Sequence, residues 1–173
     1  MSILFDFCGI ITDRFVETGT FEGMSLENAC KFFKECLSVE IDFKTYREAF
    51  LRFENVQNVK IYNDNSPHFL RKVLDHRVRT TFWLDAHYHE RPLPLHVKQC
   101  PLLEELYEIT RLSWWYSPII LIDDASIFMS DAQFVQHPGH WKREEWPTIE
   151  QIDSMLLGYQ RTMRGEAVMY KVP

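Results

Sequence analysis

Short apolar runs alternate with amphipathic segments along most of this chain. Residues 14–17, 37–40, 59–62, 80–84 and 119–122 are compact and apolar or β-branched, the length and composition of strands in a covered sheet. Between them lie segments of helical period. Residues 25–34 open with Ser25, a residue suited to accept from the exposed amides of a first turn. Residues 43–53 place Tyr46, Ala49, Phe50 and Phe53 on one face. Asn63-Asp64-Asn65-Ser66-Pro67 reads as a turn leading into a helix over 68–74, and Pro101 suits the first turn of a helix over 101–112. A short helix starts at Pro147-Thr148-Ile149-Glu150. The last strand-like runs, within 159–172, flank an Arg164-Gly165-Glu166 turn. Residues 3–11 are apolar and are expected to cover the edge of the first strand.

Strand–helix alternation predicts an α/β fold: a mostly parallel sheet with helices on both faces and a C-terminal β-hairpin. In such sheets ligands sit beyond the carboxyl ends of the strands. Glu17, Glu40, Asp85, Asp123 and Asp124 all fall there. Five acids at one sheet edge repel one another unless something positive joins them. The segments 86–99 and 129–147 leave the same edge and are the natural lid and specificity elements.

Composition narrows the class. The chain has 173 residues, 46% of them hydrophobic and 25% charged, which suits a single folded domain over 1–173. Its net charge of −6 and lack of a Lys/Arg cluster argue against a nucleic-acid partner. Four cysteines without CxxC spacing, no signal peptide and no membrane-spanning run lead to the expectation of a cytoplasmic protein with reduced thiols. An aromatic-rich edge permits a homodimer without demanding one. Trp114-Trp115-Tyr116, Trp141 and Trp146 read as packing residues before a substrate wall.

Glu17-Thr18-Gly19-Thr20-Phe21-Glu22-Gly23, with Glu40 about twenty residues on, follows the grammar of a nucleotide-binding βαβ unit. Glycines let the backbone approach a ligand, and the acid ending the second strand can bond a ribose diol. Phe21 stands where such loops usually have their middle glycine.

That turn, Ser38-Val39-Glu40, Phe82-Trp83-Leu84-Asp85-Ala86-His87-Tyr88, Cys100-Pro101-Leu102-Leu103-Glu104-Glu105-Leu106, Ile120-Leu121-Ile122-Asp123-Asp124-Ala125 and Trp146-Pro147-Thr148-Ile149-Glu150-Gln151-Ile152 occur in one order. From about residue 10 to the end, that order resembles the class I S-adenosylmethionine-dependent methyltransferase-like proteins, with a Rossmann-like fold. The resemblance implies S-adenosylmethionine as cofactor and O-methylation of a small-molecule substrate. It implies that Glu17 and Gly19 line the methionine end, Thr18, Thr20 and Gly23 shape the loop, and Glu40 holds both ribose hydroxyls. Ile41 would lie against adenine, with Asn65 and Ser66 at its rim. The family often has Gly-Asp-Ser there, where this chain has Asp64-Asn65-Ser66.

Related O-methyltransferases that use a divalent metal carry an aspartate after the fourth strand and an Asp-Asp pair after the fifth. By that likeness Asp85, Asp123 and Asp124 are candidate ligands of magnesium (Mg2+), a hard cation that prefers carboxylate oxygens. Asp85 is the leading general base, with His87 beside it as a second catalytic candidate. His87 and His89 alternate and would point the same way in an extended segment; His89 reads as a surface or stacking residue, and His137 and His140 as solvated loop residues. The competing functional reading is a catalytically degenerate domain that binds a nucleotide or protein; a metal-dependent hydrolase built on the same acids is a third. Ile3-Leu4-Phe5-Asp6-Phe7-Cys8 resembles the opening of haloacid-dehalogenase-type phosphatases, but Cys8 holds the place of their second aspartate, which argues against that chemistry.

Overall fold

The apolar runs form one seven-stranded sheet of order β3-β2-β1-β4-β5-β7-β6. In the computed structural model, residues 9–87, 97–132, 134 and 141–173 are described. The elements in chain order are β1 (Arg14–Thr18), α1 (Met24–Ala29), β2 (Glu35–Glu40), α2 (Phe43–Phe53), β3 (Val59–Asn63), α3 (Ser66–Val73), β4 (Thr80–Leu84), α4 (Leu102–Thr110), β5 (Ile119–Ile122), α5 (Ala125–Met129), a 3-10 turn (Arg143–Glu145), α6 (Ile149–Met155), β6 (Gln160–Arg164) and β7 (Ala167–Lys171). β1 pairs in parallel with β2 and β4, as do β2 with β3 and β4 with β5; β7 runs antiparallel between β5 and β6. The expected fold class is the observed one.

Successive strand residues point to opposite faces, so each central strand feeds two cores. Val16, Leu37, Val39, Phe82, Leu84, Ile120 and Ile122 pack with Phe69, Leu106, Ile109 and Ile152 from α3, α4 and α6. Phe15, Cys36, Trp83 and Leu121 pack on the other face with Leu26 and Ala29 of α1 and Phe53 of α2. Because β2, β1 and β4 run parallel, Thr18 aligns with both Val39 and Leu84, which brings the loops after three strands to one edge.

Three helices differ from their sequence pattern. The helix expected over 25–34 is only Met24–Ala29, and Ser25 does not cap it; the cap position is Gly23, in the left-handed region at φ 76°. The chain turns away after Ala29 because the Asn58 amide donates to the carbonyls of Cys30 and Phe33, each at 2.9 Å, giving them partners outside a helix. In α2 the buried stripe is Thr45, Ala49 and Phe53, which keeps Ala49 and Phe53 of the expected face but not Tyr46 or Phe50. Phe50 is exposed, and Tyr46 stacks between it and Phe43 in a partly exposed aromatic row. The helix expected from His68 begins earlier, at Ser66, with the Asn65 side chain accepting from the His68 amide at 3.0 Å.

Of the N-terminal apolar run, Ile10 is buried in the α1–α2 core and Ile11 is exposed. Residues 3–8, including Cys8, lie outside the described residues, as do His89, His137 and His140. Among the described residues no helix is long and apolar enough to cross a membrane.

Candidate functional site

The sheet edge opens into a cavity of about 880 Å³. That is within the range of pockets that enclose a small ligand or cofactor. Gly19, Glu40, Ile41, Asn65, Ser66, Asp85, His87, Asp123 and Asp124 line it. Glu17, Thr18, Thr20 and Gly23 do not; they belong to the framework that shapes the loop above β1. Phe21 also lines it, and Phe43, Lys44 and Lys98 complete parts of the wall that the sequence pattern did not single out.

At Gly19 the turn after β1 passes close to the backbone that follows β4. Gly19 sits at φ +83°, and a Cβ there would meet the Asp85 carbonyl oxygen at 2.3 Å. Only glycine provides both the backbone angle and the clearance. The Gly19 and Thr20 amides donate to the Val39 carbonyl at 3.0 and 3.1 Å, so the loop is fastened to the end of β2. Phe21 takes a left-handed angle, φ 47°, which aims its amide at Glu40.

Glu40 is nearly buried, yet its carboxylate faces the cavity. Oε2 accepts from the Phe21 amide and Oε1 from the Asp42 amide, both at 2.9 Å. A carboxylate has about four acceptor sites. With one bond on each oxygen, each retains capacity for a ligand hydroxyl. Opposite it, Asn65 has committed its side-chain oxygen to the α3 cap, which leaves its NH2 as the group it can offer a ligand.

Glu17 plays a different part from the one expected. It is fully buried and accepts from the hydroxyls of Ser25 and Ser38. Ser38 also bonds the Thr20 hydroxyl at 2.6 Å. Burial pushes the Glu17 carboxyl up to about 7, against the two serine hydrogen bonds and with smaller contributions from Glu40 and Asp123. Glu105 of α4 is a second buried acid that the sequence reading did not single out. Burial pushes it up to about 7, against the lowering influence of the Ser66 and Thr18 hydroxyls, and its Oε1 is buried without a hydrogen-bond partner. The signal available in the sequence was an acid on the otherwise apolar face of α4.

At the other end, His87 joins the acids. Its Nε2 lies 3.0 Å from Asp124 Oδ2, and its Nδ1 lies 3.4 Å from Asp85 Oδ1. Asp123 Oδ1 accepts from the Asp124 amide at 2.9 Å. Burial drives the Asp85 carboxyl well above the usual carboxylate range, with His87 opposing and Asp123, Asp124 and Glu17 reinforcing the rise. Burial also raises Asp123. His87 itself is raised: burial disfavours its proton, but the bond to Asp124 and the charges of Asp85, Asp124 and Asp123 outweigh that. Asp124 holds a left-handed backbone at φ 49°, an uncommon angle for a residue with a side chain.

His87 is held from behind. Its ring packs on Trp146 at 5.5 Å, and Trp146 stacks on Trp141 at 5.0 Å with the rings nearly parallel. The Trp146 Nε1 donates to Gln99 Oε1 at 3.1 Å, Lys142 N donates to the same oxygen at 2.7 Å, and Gln99 N donates to Glu145 at 2.8 Å. Gln99 thus pins the segment before α4 to the segment after α5. Trp141 and Trp146 pack as expected, with Trp146 against His87 and Trp141 behind it.

Among the described residues, no group of three or more His, Cys, Asp or Glu side chains is arranged to hold a metal ion. The expected magnesium set of Asp85, Asp123 and Asp124 is drawn together, but Asp85 and Asp124 turn to His87. Among the described residues, the arrangement does not fit the ion.

No protein-family model matches the sequence, and no curated protein matches it significantly. Solved structures do resemble it. The O-methyltransferase TomG of Streptomyces achromogenes, in complex with S-adenosylmethionine, superposes with a TM-score of 0.61 at 12% identity, over 94% of this chain and 74% of that one. The S-adenosylhomocysteine-bound methyltransferase PaMTH1 of Podospora anserina gives 0.59 at 15% identity, over 93% and 72%. A SAM-dependent methyltransferase of Aquifex aeolicus gives 0.57 at 14% identity, over 96% and 88%.

Proposed function

From a chain that has the fold of the class I S-adenosylmethionine-dependent methyltransferases, we propose an enzyme that transfers a methyl group from S-adenosylmethionine to a hydroxyl of a small molecule. The observation that carries this reading is Glu40: a carboxylate fixed by two backbone amides, facing the cavity across from the Gly19 turn. This is the group and the place that a ribose diol requires.

When bound, the cofactor supplies a methyl group already activated on a sulfonium. The chain's own work is then binding, alignment and proton handling. Glu40 accepts the ribose hydroxyls, Ile41 offers an apolar surface to the base, and the Asn65 NH2 offers a donor at its rim. Gly19 keeps the passage between the β1 and β4 loops narrow, which fixes the cofactor's depth. Asp85 and His87 form a coupled pair on the cavity wall. A carboxylate facing an imidazole nitrogen is suited to accept the acceptor's hydroxyl proton. Most of the rate gain expected of such a site comes from holding donor and acceptor in line.

A hydroxyl acceptor is favoured because an acid–imidazole pair is suited to removing its proton. A small molecule is favoured because the net charge is −6 and the cavity wall carries several acids. Titration calorimetry with S-adenosylmethionine and S-adenosylhomocysteine is the test. Micromolar binding of both supports the reading; no binding of either by the folded protein rejects it. Binding of both, with no transfer across a panel of hydroxylated acceptors, would favour a catalytically degenerate nucleotide-binding domain.

A further inference from the structure

Asp85, Asp123 and Asp124 are acids of the kind that gather around a divalent cation, and here an imidazole lies between two of them. One ring nitrogen of His87 faces Asp85 at 3.4 Å and the other faces Asp124 at 3.0 Å. Oxygens bound to one magnesium ion lie within about 4.2 Å of each other, twice its bond length. A ring whose two nitrogens address different carboxylates holds those carboxylates apart by its own width. Asp123 has one oxygen engaged by the Asp124 amide.

The ring is also fixed in place. The side chain of His87 is only 8% exposed. Trp146 lies against it, and Trp146 is itself held by the Trp141 stack and by Gln99. Turning the imidazole aside to admit an ion would break open that aromatic cluster. The same ring answers the electrostatic difficulty of the sheet edge. Glu17 is satisfied by two serine hydroxyls and Glu40 by two amides, while Asp85 and Asp124 share the imidazole.

We infer that His87 stands in the place a divalent cation would take, so that Asp85, His87 and Asp124 act as a metal-free acid–base unit. The inference rests on the reading of the crevice as a methyl-transfer site. Its geometry can nevertheless be tested without cofactor or acceptor.

The probe is manganous ion alone, titrated into the full-length protein and followed by electron paramagnetic resonance. The wild type is expected to show no saturable binding up to about 1 mM, a limit of about −4 kcal/mol. Saturable binding that Asp85→Asn or Asp124→Asn removes would overturn the inference. His87→Ala deletes the ring and leaves the acids. It is expected to gain manganous-ion affinity by at least about tenfold, and to lose that gain when Asp124→Asn is added. A His87→Ala protein with a native near-ultraviolet spectrum and no gain would also overturn it. If that variant does not fold, the wild-type titration decides alone. S-adenosylhomocysteine calorimetry on the same samples keeps the two questions apart: absence of cofactor binding rejects the methyl-transfer reading and leaves the manganese result standing.

Discussion

A Cβ added to Gly19 would lie 2.3 Å from the carbonyl oxygen of Asp85, closer than any packed carbon can sit. The β1 turn and the β4 end are therefore in contact through a position that tolerates no side chain. Gly19→Ala should lose about 1–2 kcal/mol to its left-handed backbone alone, and more to the clash. Gly165, at φ +65° with nothing within 4 Å, is the control: Gly165→Ala should lose only the backbone part. Thermal melts of both separate the terms, and equal melting temperatures would refute the close-approach argument.

Glu40 should dominate cofactor affinity. Hydrogen bonds to a charged group contribute about 1.5–3 kcal/mol each, so losing two to a ribose weakens binding by about a hundredfold or more. Calorimetry on Glu40→Ala measures this. The variant also strips the Phe21 and Asp42 amides of their acceptor, so Glu40→Gln, which keeps one oxygen, should fall between. An unchanged affinity in Glu40→Ala would remove Glu40 from the ribose site.

Stability should fall as pH rises from about 4.5 to about 7. Glu17 and Glu105 hold their protons up to about 7 in the folded chain, against an ordinary value of 4.5. Between those values the unfolded chain gives up protons that the folded chain keeps, so the folded state loses ground with each step upward. Each acid accounts for a few kcal/mol at about 1.4 per unit. Asp13, lowered to about 2 by Arg79 and Lys34, acts with the opposite sign but below this window. Denaturant midpoints across pH 4–8 check the slope. Glu17→Gln should flatten it, and an unaltered slope in that variant would show that Glu17 ionises freely.

Gln99 should matter more to the acceptor side than to the cofactor side. Its side-chain oxygen receives Lys142 N and Trp146 Nε1. Gln99→Leu leaves both donors without an acceptor, at a cost of about 1–3 kcal/mol for each that stays buried. We expect a lower melting temperature and faster proteolysis near residue 142, with S-adenosylhomocysteine affinity little changed. A matching loss of cofactor affinity would mean the strap supports the whole cavity.

The layout of the sheet was legible because strands buried on both faces leave compact apolar runs, as in residues 119–122, where all four side chains are buried. The acids at the strand ends were legible for a related reason: each is a carboxylate closing a compact apolar run, whether it is buried, as Glu17 is, or lines the cavity, as Asp85 and Asp123 do. Their partners were not. Ser25 carries a helix-cap signature, but its hydroxyl is taken by Glu17, a contact set by tertiary approach. Ala49 and Phe53 of the expected α2 face are buried, but Phe50 is not, because aromatic residues satisfy an apolar pattern whether they face the core or the solvent. The bridging imidazole required knowing that the β4 and β5 loops converge, which depends on strand order rather than on spacing within either loop.

The acidic end of the cavity bears on turnover as well as on chemistry. Among the described residues, Glu40, Asp42, Asp64, Asp85, Asp123 and Asp124 share the wall with two lysines, Lys44 and Lys98; Lys98 is paired with Glu104, and Asp64 with Lys72 and His68. On the proposed reading, the methyl donor enters as a sulfonium cation and leaves as a neutral thioether. A wall of this sign grips the first and has less hold on the second, so spent cofactor should be released more readily than fresh cofactor. Raising ionic strength should weaken S-adenosylmethionine binding while leaving S-adenosylhomocysteine binding nearly constant; parallel losses would mean the wall does not discriminate between them by charge.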